Sequence, residues 1–234
     1  IPSLFAAVEA GLDIVSGMHT KLGEIPGLAD AAKARGVRLV DVRCPPPGLP
    51  AANGRKRSGK RLLTVGTDCA LGKKYTALAL TKALRERGVN ADFRATGQTG
   101  IMIAGTGLPM DAVVADFSAG AAEVLSPDAA ADHWDIIEGQ GSLYHPAYAG
   151  VTLGLLHGSQ PDELVLCHDP AISRIKSLPD FPTPSLEVAA QTYLQLAALT
   201  NPAVRLAGVS LITDKMDDAT RRRVLAAAEQ RLGV

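Results

Sequence analysis

The sequence predicts an α/β fold in which a parallel sheet is covered by helices on both faces, and two observations carry that prediction. Short apolar runs alternate with segments of helical periodicity along most of the chain, as strands buried on both faces require. Leu62-Leu63-Thr64-Val65 then leads into GTDCALGKKYTALAL, Gly66 to Leu80, where an apolar strand meets a glycine-framed turn, a lysine pair and a run of good helix formers. That order is the layout of a phosphate-binding loop.

The elements follow in order. Apolar residues recur at helical spacing from Leu4 to Leu12 and from Pro26 to Arg35, and Val37 to Val42 reads as a strand, so the first part is the tail of an α/β unit. Residues 44 to 61 change character. Pro45, Pro46, Pro47 and Pro50 precede Gly54 and the basic cluster Arg55, Lys56, Arg57, Lys60, Arg61, which predicts a linker with a solvated charged face, or alternatively cations delivered toward a phosphate-rich ligand. After the loop helix, strands are expected at Asp92 to Ala95, Asp111 to Ala115, Asp135 to Ile137, Glu163 to Cys167 and Leu206 to Thr213. Helices are expected over Ser185 to Leu199 and from Asp217 onward.

At 234 residues the chain can bury a sizeable core. Lys plus Arg and Asp plus Glu each number 24, so the zero formal charge gives no reason to expect nucleic acid or an anionic membrane surface as partner. No apolar run approaches the roughly 18 to 20 residues that span a bilayer. Cys44, Cys69 and Cys167 are far apart and lack metal-ligand spacing, which fits a reducing, cytoplasmic setting. The start has neither a signal-peptide pattern nor a methionine, and the chain reads as a fragment of a longer protein.

In the loop, Gly66 and Gly72 let the backbone approach an anion, with Thr67, Asp68, Cys69, Ala70 and Leu71 between them, while Lys73, Lys74 and Tyr75 open the helix. The first amides of that helix and its positive dipole end face the phosphate. Five residues separate the glycines where four are usual, and Lys74 occupies the position of the hydroxyl that commonly holds Mg²⁺. A second ammonium repels a metal, and Thr76 lies roughly 200° around the helix from Lys74. Phosphate binding without an obligatory metal is therefore expected. Cys69, beside helix-end amides, is either a reactive thiol or a small loop residue.

Ligands of such sheets sit at the carboxyl ends of the strands. That rule selects Asp116 and Glu138, each closing an apolar run, as general bases or else as helix caps and lysine partners. It also selects Arg94, whose planar fork suits a carboxylate, with Thr96, Gln98 and Thr99 beside it, and Gln140, Ser142 and His145 after Glu138. His157 or His145 is a candidate acid or base at neutral pH. Trp134 is expected in the core.

Several blocks carry a resemblance: GMHTKLG (Gly17 to Gly23), Gly54 to Leu80, FRATGQTGIMIAG (Phe93 to Gly105), DAVVADFSAGAAE (Asp111 to Glu123), Trp134 to Asp162 and LTNPA (Leu199 to Ala203). Together they resemble a phosphate-loop family once known only as a domain of unknown function, whose D-glutamate N-acetyltransferases are the members with an assigned activity. The resemblance implies a Rossmann-like N-terminal domain followed by a P-loop NTPase-like domain, placed here at residues 1–58 and 59–234. It implies acetyl transfer from acetyl-CoA to the amino group of D-glutamate, in support of a dehydrogenase acting on N-acetyl-D-glutamate. By the same resemblance the chain lacks most of the N-terminal domain and stops short at its C-terminus. The loop then binds CoA phosphates, Arg94 and its neighbours a glutamate carboxylate, and Glu138 or Asp116 the ammonium proton. Two other functions stay open on the residues: an ATP-dependent ligase resembling dethiobiotin synthetase, with Asp68, Asp116 or Glu138 on Mg²⁺, and a non-catalytic nucleotide sensor. A homo-oligomer is the default expectation, with the alanine-rich segments Ala119 to Val124 and Ala189 to Leu199 placed either in the core or at a subunit contact.

Overall fold

The computed structural model describes residues 1–234, which form a small N-terminal lobe and a larger α/β domain. The lobe is built from α1 (Pro2–Glu9), β1 (Ile14–Ser16), α2 (Leu28–Arg35) and β2 (Leu39–Asp41), with β1 and β2 paired in parallel. Val8, Ile14, Leu22, Ile25, Leu28 and Ala32 give it a core of its own. Helix α2 ends where Gly36 adopts a left-handed φ of 68°, the usual glycine stop.

The larger domain begins with β3 (Lys60–Gly66) and α3 (Lys73–Glu86), followed by β4 (Ala91–Arg94), α4 (Gln98–Ala104), α5 (Ser118–Leu125), β5 (Trp134–Ile137) and α6 (Ala149–Ser159). Then come β6 (Glu163–His168), a short antiparallel hairpin of β7 (Arg174–Ile175) and β8 (Leu178–Pro182), α7 (Leu186–Ala198), β9 (Arg205–Leu211) and α8 (Asp218–Leu232). Five strands form one parallel sheet in the order β4-β5-β3-β6-β9. Both alanine-rich segments pack inward. Ala121 and Ala122 of α5 and Ala189, Ala190 and Ala197 of α7 join Leu63, Val65, Leu164 and Leu166 in the main core. Trp134 is half-buried beside Leu62, Ala77 and Ile136 and carries the Lys60 ammonium over its ring. No helix is long and apolar enough to cross a membrane.

Two expectations are corrected here. Asp111 to Ala115 is not a strand: Met110–Ala112 and Ala115–Phe117 are separate 3-10 turns, because Met110 turns inward to the main core while Val114 and Asp116 face solvent. Nor is the basic segment after residue 50 simply a solvated face. Arg57 and Arg61 are buried, their guanidinium groups donating to the carbonyls of Ser126, Gly158, Ser58 and Pro127. Burial, with Arg61 adjacent, pulls Arg57 down to about 10. Arg55 pairs with Asp128, Lys56 with Asp162, and the Asn53 and Gly54 amides donate to Glu123, so the segment is strapped along the domain. Arg61 also lies at the amino end of β3, opposite the loop, and cannot reach a ligand there.

Candidate active site

Strand β3 feeds the loop, and Glu138 directly follows its neighbour β5. Leu63 is level with Ile137 in the register, so the carboxyl ends of these strands open side by side. Between them lies a cleft of about 510 Å³ lined by the loop from Cys69 to Tyr75, by Glu138 to Gly141, and by Gln98 and Tyr148.

Buried contacts hold the loop. Thr67 hydrogen-bonds His168 Nδ1 at 2.8 Å, and the Gly66 carbonyl accepts from Ser142 Oγ at 2.9 Å and Tyr193 Oη at 2.8 Å. Burial pushes the Tyr193 hydroxyl up to about 12, so it stays a donor. Asp68 is buried, its carboxylate accepting from the Cys69 and Lys176 amides at 2.6 Å each, so it ties the hairpin to the loop. Ala70 has a φ of 57°, a conformation unusual outside glycine. At the start of α3, Gly72 caps the helix with a φ of 83°, and the first-turn amides of Lys73, Lys74 and Tyr75 have no acceptor within the helix. Lys73 is buried and donates from Nζ to the Asp68 carbonyl at 2.8 Å; burial lowers its pKa. Lys74 is half-buried, with its ammonium 4.6 Å from the Tyr75 ring centre. Thr76 turns to Ser210 Oγ at 2.9 Å, away from the loop mouth.

Glu138 is almost fully buried. Its Oε2 accepts from the Thr96 and Gly97 amides at 2.9 and 3.2 Å, and its own carbonyl accepts from Thr96 Oγ1 at 2.7 Å. A Cβ on Gly100 would lie 2.1 Å from Oε2, so only glycine at that place in α4 lets the carboxylate seat there. Burial raises the Glu138 pKa above its ordinary value, against the two amides, which lower it.

Asp68, Cys69 and His145 bring one potential ligand atom each to within 4.8 Å of one another, and these are the residues that could hold a metal here. Their donors are largely engaged: Asp68 by two amides, and His145 Nδ1 by the Ala147 amide at 3.2 Å, with its ring 4.4 Å from that of Tyr148. Burial raises the Cys69 thiol pKa, so it rests protonated.

The other candidates separate. Gln98 and Gln140 line the cleft, whereas Thr96 and Ser142 are buried supports and Thr99 is exposed. Arg94 does not line the cleft: its Nε donates to the buried Asp135 at 2.6 Å, since alternation puts Arg94 on the sheet face of Asp92, whose register partner on β5 is Asp135. Asp116 is exposed on its 3-10 turn and lines no part of the cleft. His157 faces α7, its Nε2 3.2 Å from the Leu196 carbonyl. His19, Arg43 and Asp111, none of them at a strand end of the five-stranded sheet, also line the cleft and were not among the expected site residues. The available signal was the block Gly17 to Gly23, which no local element explained.

A model described as the P-loop domain of a domain of unknown function, DUF1611, matches residues 50–234, and its companion, described as a Rossmann-like N-terminal domain, matches residues 1–45. A D-glutamate N-acetyltransferase of Tritonibacter scottomollicae is 49% identical over 231 residues, 99% of this chain and 69% of that protein. One of Pseudoalteromonas sp. is 48% identical over 234 residues, 100% of this chain and 70% of that protein. The crystal structure of a DUF1611 family protein from Anabaena variabilis aligns with a TM-score of 0.91 and 37% identity, covering 99% of this chain and 68% of that one. With its phosphate loop, its parallel sheet and these end-to-end matches, the chain belongs to the DUF1611 family.

Proposed function

We propose that this protein is an acyltransferase that moves an acetyl group from acetyl-CoA to the amino group of D-glutamate. The observation that carries the reading is one cleft lined both by the start of the loop helix and by a buried carboxylate. Two relatives bearing the name D-glutamate N-acetyltransferase, at 49% and 48% identity, supply the acceptor.

The loop amides, Lys73 and Lys74 bind the pyrophosphate of the donor, with Lys74 doing electrostatically what a hydroxyl-bound Mg²⁺ does in related loops. Glu138 takes the ammonium proton: its Oε2 is fixed by two amides, and burial has already raised its basicity. The free amine then attacks the thioester carbonyl directly. Gln98 and Gln140 offer amide donors to the developing oxyanion; the C–S bond then breaks, and the CoA thiolate takes the proton that the nitrogen sheds as the amide forms, leaving as thiol. We assign residues 1–58 to the Rossmann-like segment with its linker and 59–234 to the catalytic domain. The product feeds a dehydrogenase acting on N-acetyl-D-glutamate. Three unpaired cysteines fit a reducing, cytoplasmic setting, and a homo-oligomer follows only from the general prevalence of symmetric assemblies.

The test is incubation with D-glutamate and either acetyl-CoA or Mg-ATP, with assays for free thiol and for released phosphate. Thiol release dependent on D-glutamate is expected. Phosphate release without thiol would overturn the reading in favour of a ligase, and binding without turnover would leave a nucleotide sensor.

A further inference from the structure

An acceptor with two carboxylates needs a cation beyond those that hold the donor. The loop lysines do not offer one, since Lys73, held through the Asp68 carbonyl, and Lys74 at the helix mouth are both committed to the donor phosphates. Arg94 is spent on Asp135. The arginine that does line the cleft is Arg43, which comes from the N-terminal lobe just beyond β2.

We infer that Arg43 and His19 together hold a carboxylate of the acceptor across the mouth of the loop cleft; the inference rests on the acetyl-transfer reading and names the specificity residues of that site. The Arg43 side chain is only 10% exposed, and its Nη2 lies 2.7 Å from Asp111 Oδ2, which anchors and aims the guanidinium. Nη1 donates to His19 Nδ1 at 3.2 Å. These two contacts leave part of a five-donor fork free toward the cleft. With Nδ1 accepting from Arg43, the ring N–H of His19 is at Nε2, a second donor for the same anion. A planar fork beside an imidazole N–H suits a carboxylate better than a point charge does.

The segment bearing His19 is also built to reach this place. A Cβ on Gly17 would lie 2.6 Å from Cβ and Cγ of Gln98 and 3.3 Å from Met102 Cε. Only glycine there lets the lobe lie against α4, beside the glutamine that lines the cleft. This accounts for the Gly17 to Gly23 block, which contributes nothing to the phosphate loop itself. It also gives the Rossmann-like segment a part in the site: the acceptor is gripped between the two lobes.

The experiment compares wild type, Arg43→Gln, Arg43→Lys and His19→Ala for Michaelis constants of D-glutamate and acetyl-CoA, with D-glutamine as an acceptor lacking the side-chain carboxylate. Arg43→Gln is expected to raise the KM for D-glutamate roughly 10- to 100-fold, the loss of a charge-assisted hydrogen bond. Arg43→Lys keeps the pairing with Asp111, and hence the fold, but loses the fork, and is expected to recover only part of that loss. The KM for acetyl-CoA stays within about twofold. Collapse of the preference for D-glutamate over D-glutamine assigns the side-chain carboxylate to Arg43, and retention of the preference with both KM values raised assigns the α-carboxylate; both support the inference. A rise confined to acetyl-CoA would place Arg43 on the donor and overturn it, as would unchanged kinetics with a lowered melting temperature, the mark of a mere pin between lobes. Wild type that releases no thiol with D-glutamate sinks the transfer reading itself, whereas active wild type with indifferent variants sinks only the role of Arg43 and His19.

Discussion

Replacing Glu138 by Gln removes a base while leaving its seat intact. In the wild type one oxygen, Oε2, accepts both the Thr96 and the Gly97 amide. The single carbonyl oxygen of glutamine has two lone pairs and can keep both bonds. The lost function is proton acceptance, which contributes about 10²- to 10⁴-fold to such reactions, or roughly 3 to 5 kcal/mol of barrier. The stability effect runs the other way. Burial raises the folded pKa of Glu138 above its unfolded value, so the folded state binds this proton more tightly. The contribution is fully present below the unfolded pKa and is lost as pH rises through the folded one. At neutral pH the ionised carboxylate therefore weighs against folding, and Glu138→Gln should melt no lower than wild type. Stopped and continuous thiol-release assays across pH, with calorimetric melting, test both halves. Wild-type kcat should rise with pH through the raised pKa and the variant should lose that limb. A variant that keeps full kcat at every pH, or one that melts markedly lower, would refute the assignment.

Lys74→Ala should raise the KM for acetyl-CoA about tenfold or more by removing a charge at the helix mouth, and a chelator should leave wild-type thiol release unchanged. Arg94→Ala should leave the KM for D-glutamate alone but cost about 2 kcal/mol in denaturant unfolding, because the buried Asp135 then keeps only the His133 contact at 3.1 Å. Asp116→Asn and His157→Ala should match wild type in steady-state kinetics, since one side chain is in solvent and the other on α7.

The phosphate loop was legible because its chemistry is local: two glycines, a lysine pair and a helix start within a dozen residues specify the turn whatever surrounds it. Glu138 was legible for a similar reason, as an acid at the end of an apolar strand with glycines beyond. Arg94 misled because the same rule of strand ends says where a residue stops and not which face it takes. Its pairing with Asp135 depends on which strand lies alongside β4, a long-range fact. The run Asp111 to Ala115 misled because its apolar residues have no strand to pair with; Met110 drops into the core and the backbone coils around it. Arg57 and Arg61 misled because composition counts charges and not carbonyls. The ends of α5 and α6 present acceptors at Ser126 and Gly158 that a buried guanidinium satisfies.

Strand order explains why the two parts of the site meet. From β3 the chain crosses over α3 to β4 at the sheet edge and returns through β5, so β5 is inserted between strands that are consecutive in sequence. On the other flank β3 pairs with β6, and the direction of winding reverses around β3. A crevice at the carboxyl end of such a switch is where open α/β sheets take ligands. It sets the phosphate loop on one strand and the Glu138 carboxylate on the next, with no intervening layer to carry either across. What the sheet does not provide is the acceptor's partner, because the one arginine at a carboxyl strand end of this sheet, Arg94, is paired with Asp135 of β5. The lobe ahead of the linker supplies that group from outside, through Arg43 anchored on Asp111. On this arrangement donor affinity is a property of the α/β domain, while acceptor choice depends on how the lobe docks against α4. A Gly17→Ala variant should therefore weaken D-glutamate more than acetyl-CoA in paired binding titrations, and an equal loss of both would break the division of labour.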